Sequence, residues 1–198
     1  MSIPWRWLWV ALILLGGWKY LDHRPVKVSS GVLVKDNPVQ KDLPKGVVYP
    51  QGKYSLVALA EFEIEARVLS KEIYHFDRGA ELVPVDLALG WGAMSDSAVL
   101  EQLSITQGGR FYRYHWKGEP PIPPADIVRH SANMHLIPTS PAMADQIKKV
   151  RPGQIVHITG QLVEAHDPDG GYWRSSLARE DSGNGACELI RVVEFEAR

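Results

Sequence analysis

The 198-residue chain has almost no cysteine, a single one at Cys187, so no disulfide can form within it and no cysteine-based zinc cluster can be built. It also lacks a charge excess. Its 22 basic residues face 23 acidic ones, for a net charge of −1. With 45% of residues hydrophobic, that balance excludes intrinsic disorder. The 17 Gly and 14 Pro follow no period, which excludes a collagen-like or low-complexity chain, and no internal repeat is visible. What remains is an ordinary folded domain with a little to spare.

Tryptophan is abundant by contrast. Four of the seven, Trp5, Trp7, Trp9 and Trp18, fall in the first eighteen residues. Trp7 to Trp18 carries no charge, Leu8 to Leu15 is nearly all aliphatic, and the 17 residues from Trp5 to Leu21 have aromatic rings at both ends. That length is at the short end for a bilayer span, and flanking Trp and Tyr rings match an interfacial belt. No small-residue cleavage pattern follows, and no cysteine is placed for lipidation. Residues 1–27 are therefore expected to be an uncleaved single-pass transmembrane anchor, contacting the membrane through residues 5–21. The positive-inside count points weakly the other way, since Lys19, Arg24 and Lys27 trail the span. By analogy with bacterial anchors this close to the start, the expectation is still a bacterial inner-membrane protein with its main domain in the periplasm.

The first 27 residues hold four basic side chains and one acidic one, which leaves 18 against 22 and a net charge of −4 for the rest. An acidic body is poorly suited to tracking phosphates, so a nucleic-acid partner is not expected. Residues 28–53, punctuated by Pro38, Pro44 and Pro50, read as a linker that lends at most a strand, and residues 54–198 as a β-rich extracytoplasmic domain.

Glu61 to Val68 alternates charged and apolar residues, which predicts a strand with Phe62, Ile64, Ala66 and Val68 facing the core. Leu82 to Trp91, broken by Pro84 and Gly90, reads as an apolar loop with short extended pieces. Ser95 or Asp96 is expected to cap a short helix that ends near Leu103. Arg110 to Trp116 reads as a strand, Ala125 to His130 as a short helix and His135 to Ile137 as extended. Ser140-Pro141 opens a helix with Met143, Ile147 and Val150 on its apolar face. Gln154 to Val163 reads as a long strand with Gly160 at a bulge or corner. A hairpin turn at Asp167–Gly171 and a closing strand Glu188–Phe195 follow. This order suits a mainly β, α+β domain: a small curved barrel of the oligonucleotide/oligosaccharide-binding type (OB-like), with one or two inserted helices, preceded by a transmembrane helix. A more open α+β sheet is the alternative.

Chemistry is less legible. Cys187 follows a Gly-rich turn, with His130 and His135 upstream and Asn133 and Asp181 available to orient a base. Two readings stand: a small apolar residue buried at the start of the last strand, or the nucleophile of an envelope thiol hydrolase or transferase using Cys187, His135 and Asp181. The five-residue spacing of the two histidines and the lone Asp167-x-Asp169-Gly turn do not form a metal site, so no metal and no cofactor are expected. Trp173, Arg174 and Arg179 near one hairpin, and Tyr112, Tyr114 and Trp116 on a strand, are candidates for a recognition surface. On an alternating strand about half of such rings must instead face the core.

The segments Ser131–Pro138, Asp86–Asp96 and Arg174–Glu188 together resemble a group of uncharacterised bacterial single-pass membrane-anchored proteins, over most of residues 56–193. The resemblance implies a place in the membrane and no particular activity. The functional expectation is a non-enzymatic accessory, scaffold or ligand-binding domain of the envelope, with a protein partner in the inner membrane or envelope. The thiol enzyme is the alternative.

Overall fold

The computed structural model describes residues 5–22, 24–178 and 187–198. Helix α1 (Trp5–Asp22) carries the tryptophan-rich segment. Strands β1 (Val39–Asp42) and β2 (Val48–Gln51) are short, and β3 (Tyr54–Ile73) is the longest element in the chain. Then come β4 (Val85–Gly90), a 3₁₀ turn at Gly92–Ser95, α2 (Ser97–Leu100), β5 (Leu103–Gly108) and β6 (Phe111–Trp116). The second half holds α3 (Pro124–Arg129), β7 (Ser131–Pro138), α4 (Pro141–Lys149), β8 (Ile155–His166), β9 (Tyr172–Arg174) and β10 (Glu188–Ala197). The fold is mainly β, as the sequence suggests.

One strand organises it. Residues 55–67 of β3 pair antiparallel with β8, and residues 67–73 pair antiparallel with β4. The register slips once in each ladder, at Leu59 and at Leu69. Bulges of this kind bend a strand and increase its twist. From β4 the pairing continues to β7 (antiparallel), from β7 to β10 (parallel) and from β10 back to β8 (antiparallel), so five strands hydrogen-bond in a closed circuit. Helix α4 connects β7 to β8 along the chain.

Alternation then sorts the side chains. Phe62, Ile64, Ala66 and Val68 point inward, all nearly inaccessible, and meet Leu87, Leu89, Leu136, Ile158 and Ile190. The intervening acids point outward and pair across the ladder, Glu63 with His157 and Glu61 with Gln161. Ile147 and Val150 of α4 complete the interior. Ser140 caps α4 by accepting the Met143 N–H, with Pro141 at its first turn. A second apolar cluster (Leu56, Val163, Leu189) lies under Leu82 and Trp173. A third (Met94, Leu103, Ile127) is covered by the β5–β6 hairpin.

Three local expectations need correcting. Val85–Gly90 is a fully buried strand rather than an apolar loop, because it pairs with β3 on one side and β7 on the other. Buried strands read as continuous apolar runs without alternation. The helix near Ser95 is a single turn, capped by Asp96 accepting the Ala98 N–H, and Leu103 already belongs to β5. The slip beside Gly160 lies in β10, between Val192 and Glu194. Gly160 is required for another reason, since a Cβ there would sit 2.2 Å from the Arg191 carbonyl oxygen.

Residues 26–37 run along the body as a strap. Val26 N–H donates to the Pro152 carbonyl, Ser97 Oγ donates to the Val28 carbonyl and Gly31 N–H donates to Asp96 Oδ1. Ser95 Oγ accepts the N–H groups of Leu33 and Val34. Among the described residues, no helix is long and apolar enough to cross a membrane.

Gly160→Ala forces a methyl group against backbone and is expected to cost about 1–3 kcal/mol, in the range of core overpacking. Urea denaturation of the detergent-solubilised full chain measures it. An unchanged midpoint would contradict the close approach of β8 and β10.

Candidate functional site

The least compatible residue in the buried sheet is Asp86, fully inaccessible in β4. A buried carboxylate demands partners. Arg110 Nη1 donates to its Oδ1 at 3.0 Å, and His135 Nδ1, from the facing position on β7, lies 2.8 Å from the same oxygen. The His135 contact is close but not aligned as a hydrogen bond, and Asp86 Oδ2 makes none. The Tyr74 hydroxyl faces this carboxylate and accepts the Arg110 backbone N–H. Burial, reinforced by the negative charge of Asp86, pushes the Tyr74 pKa far up, so the phenol stays protonated.

Arg110 reaches Asp86 from an unusual backbone. Gly109 and Arg110 form the two-residue β5–β6 turn, both with positive φ, +60° and +70°. Both central residues of a type I′ turn need such angles. A non-glycine residue there costs about 1–2 kcal/mol and persists only where its surroundings hold it. Here they do: Nε and Nη2 donate to Asp77, Nη1 also donates to the Val83 carbonyl, and the guanidinium lies 3.6 Å from the Tyr74 ring centre. Burial disfavours the ionised form of Asp77. The hydrogen bonds and charge of Arg110, with the Gly79 and Ala80 N–H groups, outweigh it and hold that carboxyl below the ordinary aspartate range.

Beside this cluster opens a cavity of about 940 Å³. It is lined by Asp77, Gly79, Arg110 and Phe111, by Tyr172, Trp173, Arg174 and Ser175, and by His135 and Cys187. Trp173 packs at a tilt on His135, ring centres 4.6 Å apart, and Arg110 lies 5.6 Å from the Trp173 ring centre. Arg174 is paired with Glu164, and that hydrogen bond is the main reason the Glu164 carboxyl titrates low.

Trp173 and Arg174 therefore line a pocket, and His135 of β7 and Cys187, the residue before the neighbouring parallel strand β10, line the same one. Arg179 and Asp181 lie outside the described residues. Tyr112 is half-buried, its hydroxyl 3.4 Å from Ser131 Oγ. Tyr114 and Trp116 pack on the third apolar cluster instead of lining the cavity. His130 packs against Gly92, and Asn133 is engaged by Gln107 and by the Arg110 carbonyl. Asp167 closes its own turn by accepting the Asp169 N–H. Among the described residues, no three His, Cys, Asp or Glu side chains converge to hold a metal ion.

Sequence reasoning missed Asp86, Asp77 and Tyr74. A usable signal was present for Asp86, as the one charge in the run Leu82–Gly90. No protein family, curated protein or solved structure matches the chain.

Asp86→Asn removes one of the two carboxylates that hold Arg110, with Asp77 left in place, and is expected to cost about 1–3 kcal/mol in urea denaturation. Asp77 titrates below its unfolded value, so its contribution is present above about pH 4 and lost as pH falls through the folded value. The urea midpoint of the wild type should fall between about pH 5 and about pH 3. Asp77→Asn should lower the midpoint at neutral pH and shallow that fall.

Proposed function

We propose that the chain is a membrane-anchored, non-enzymatic binding domain of the bacterial envelope, OB-like in fold, whose cavity takes a saccharide. The observation that carries this reading is the position of the cavity. The circuit β3–β4–β7–β10–β8, with α4 joining β7 to β8 along the chain and one parallel pair, follows the strand order of an OB barrel. Domains of that type bind ligands on the second and third strands and between the loops after the first and fourth. Asp77 and Gly79 lie in the first of those loops, Trp173 to Ser175 in the second and His135 on the third strand. Aromatic walls of Trp173, Tyr172 and Phe111 beside polar groups suit the faces and hydroxyls of sugar rings. The net charge of −4 disfavours nucleic acid.

The anchor reading draws on the helix itself. Trp5, Trp7, Trp9, Leu12, Ile13 and Leu14 are all exposed, on several sides of α1 rather than along one stripe. A surface-lying helix would have a polar face. Apolar residues all round favour insertion, and a short span is accommodated by local bilayer thinning. The inner membrane, with the domain on its periplasmic side and a partner protein nearby, completes the proposal.

A second reading, a thiol hydrolase or transferase, is favoured by one observation. His135 and Cys187 share the cavity, and Asp86 backs the imidazole where Asp181 was expected to act.

Chitotetraose at millimolar concentration should quench the tryptophan fluorescence of the full chain, and Trp173→Ala should abolish the change while Cys187→Ser leaves it intact. Absence of any response would overturn the saccharide reading. Rapid labelling of Cys187 by iodoacetamide at neutral pH, slowed at least tenfold by His135→Gln, would establish the thiol reading in its place.

A further inference from the structure

A second cavity, of about 380 Å³, opens far from the first in sequence, lined by Val26, Lys27, Val28, Arg67, Ser97 and Glu101 among others. Its floor is unusual. Arg67 sits in β3 where pairing passes from β8 to β4, and only 7% of its surface is exposed. Its Nη1 donates to the Ser95 carbonyl and to Ser97 Oγ, both neutral, and its Nε has no hydrogen-bond partner. Among the described residues, no carboxylate lies within ion-pair distance of it. Asp96 and Glu101 act on it only at longer range. An arginine does not give up its proton, and a buried cation without a contacting anion is a costly arrangement that a bound anion relieves.

The rim adds one charge of each sign. Lys27 is held there by its neighbours, since Val26 N–H is fixed on Pro152 and the Val28 carbonyl on Ser97 Oγ. Glu101, at the end of α2, lines the same cavity. Two cations and one carboxylate around one small cavity match a ligand with a phosphate joined to a primary ammonium.

The location selects its source. Helix α1 ends at Asp22, and Val26 is already bonded to the body. Four Cα steps separate them, on the order of 14 Å when fully extended. With α1 in a bilayer, the cavity mouth is kept close to the headgroup layer.

We propose that this cavity binds the zwitterionic phosphoethanolamine headgroup of a membrane phospholipid, with the phosphate on Arg67 and Lys27 and the ammonium on Glu101. The proposal rests on the anchor reading and is independent of what occupies the larger cavity.

Native mass spectrometry of the full chain in dodecyl maltoside tests it, with short-chain phosphatidylethanolamine, phosphatidylcholine, phosphatidylglycerol and inorganic phosphate as separate probes. One phosphatidylethanolamine should be retained at least tenfold more tightly than phosphatidylcholine, whose quaternary nitrogen has no N–H to donate. Lys27→Gln, which removes an exposed side chain, should weaken retention at least tenfold. Glu101→Gln should erase the preference over phosphatidylcholine. Arg67→Lys should also weaken it, and is read only if its melting temperature matches the wild type. Equal retention of the three lipids, or indifference to Lys27→Gln and Glu101→Gln, overturns the proposal. Displacement by inorganic phosphate at matched concentration overturns the lipid assignment. Release of the chain from membranes by alkaline carbonate overturns the anchor reading, whereas a carbonate-resistant chain without lipid preference overturns only this inference.

Discussion

The carboxylate of Asp86 is the constraint around which one side of the molecule is arranged. A charge in the middle of a buried strand cannot be left unpaired, and the nearest permanent cation belongs to a hairpin turn twenty-four residues away. Bringing Arg110 to it fixes where the β5–β6 hairpin ends. It also sets a left-handed backbone angle at the turn and holds Tyr74, Asp77 and the Val83 carbonyl around the guanidinium. Arg110, at that hairpin end, lines the same cavity as Trp173 of β9.

The interior depends on a different device. A single strand paired with β8 over its first half and β4 over its second must bend, and its two register slips supply the bend. Alternation along β3 puts Arg67, at the point of transfer, on the face away from the apolar interior, where Ser97 links it to the strap of residues 26–37. Both charged cavities therefore lie where the sheet departs from regular pairing, the one at a strand junction and the other beside a strained turn.

Much of the sheet was legible in the sequence because period-two alternation reports burial directly. Phe62, Ile64, Ala66 and Val68 are core residues, and the Ser140-Pro141 start of α4 follows from capping chemistry alone. β4 was not legible as a strand. Burial on both faces removes the alternation, and Pro84 and Gly90 mark its ends rather than breaks within it. Of the candidate site, local reading found Trp173, Arg174, His135 and Cys187, because aromatic and nucleophilic residues stand out in any segment. It did not tell which rings of the hairpin face the core: Tyr114 and Trp116 pack on the cluster of Met94 and Ile127, a choice set by tertiary packing. It missed Asp86 as the group beside His135, because that juxtaposition is made by the β4–β7 register, forty-nine residues apart in sequence.

The strap has a consequence for how the domain samples its surroundings. A flexible tether of some thirty residues would let a globule wander through a volume far larger than itself. Bonded down from Val26 onward, the chain leaves only three residues between helix and body. With α1 in a bilayer, as proposed above, encounters with other membrane-bound molecules become a search in two dimensions at nearly constant height, and a soluble molecule has to come to the domain.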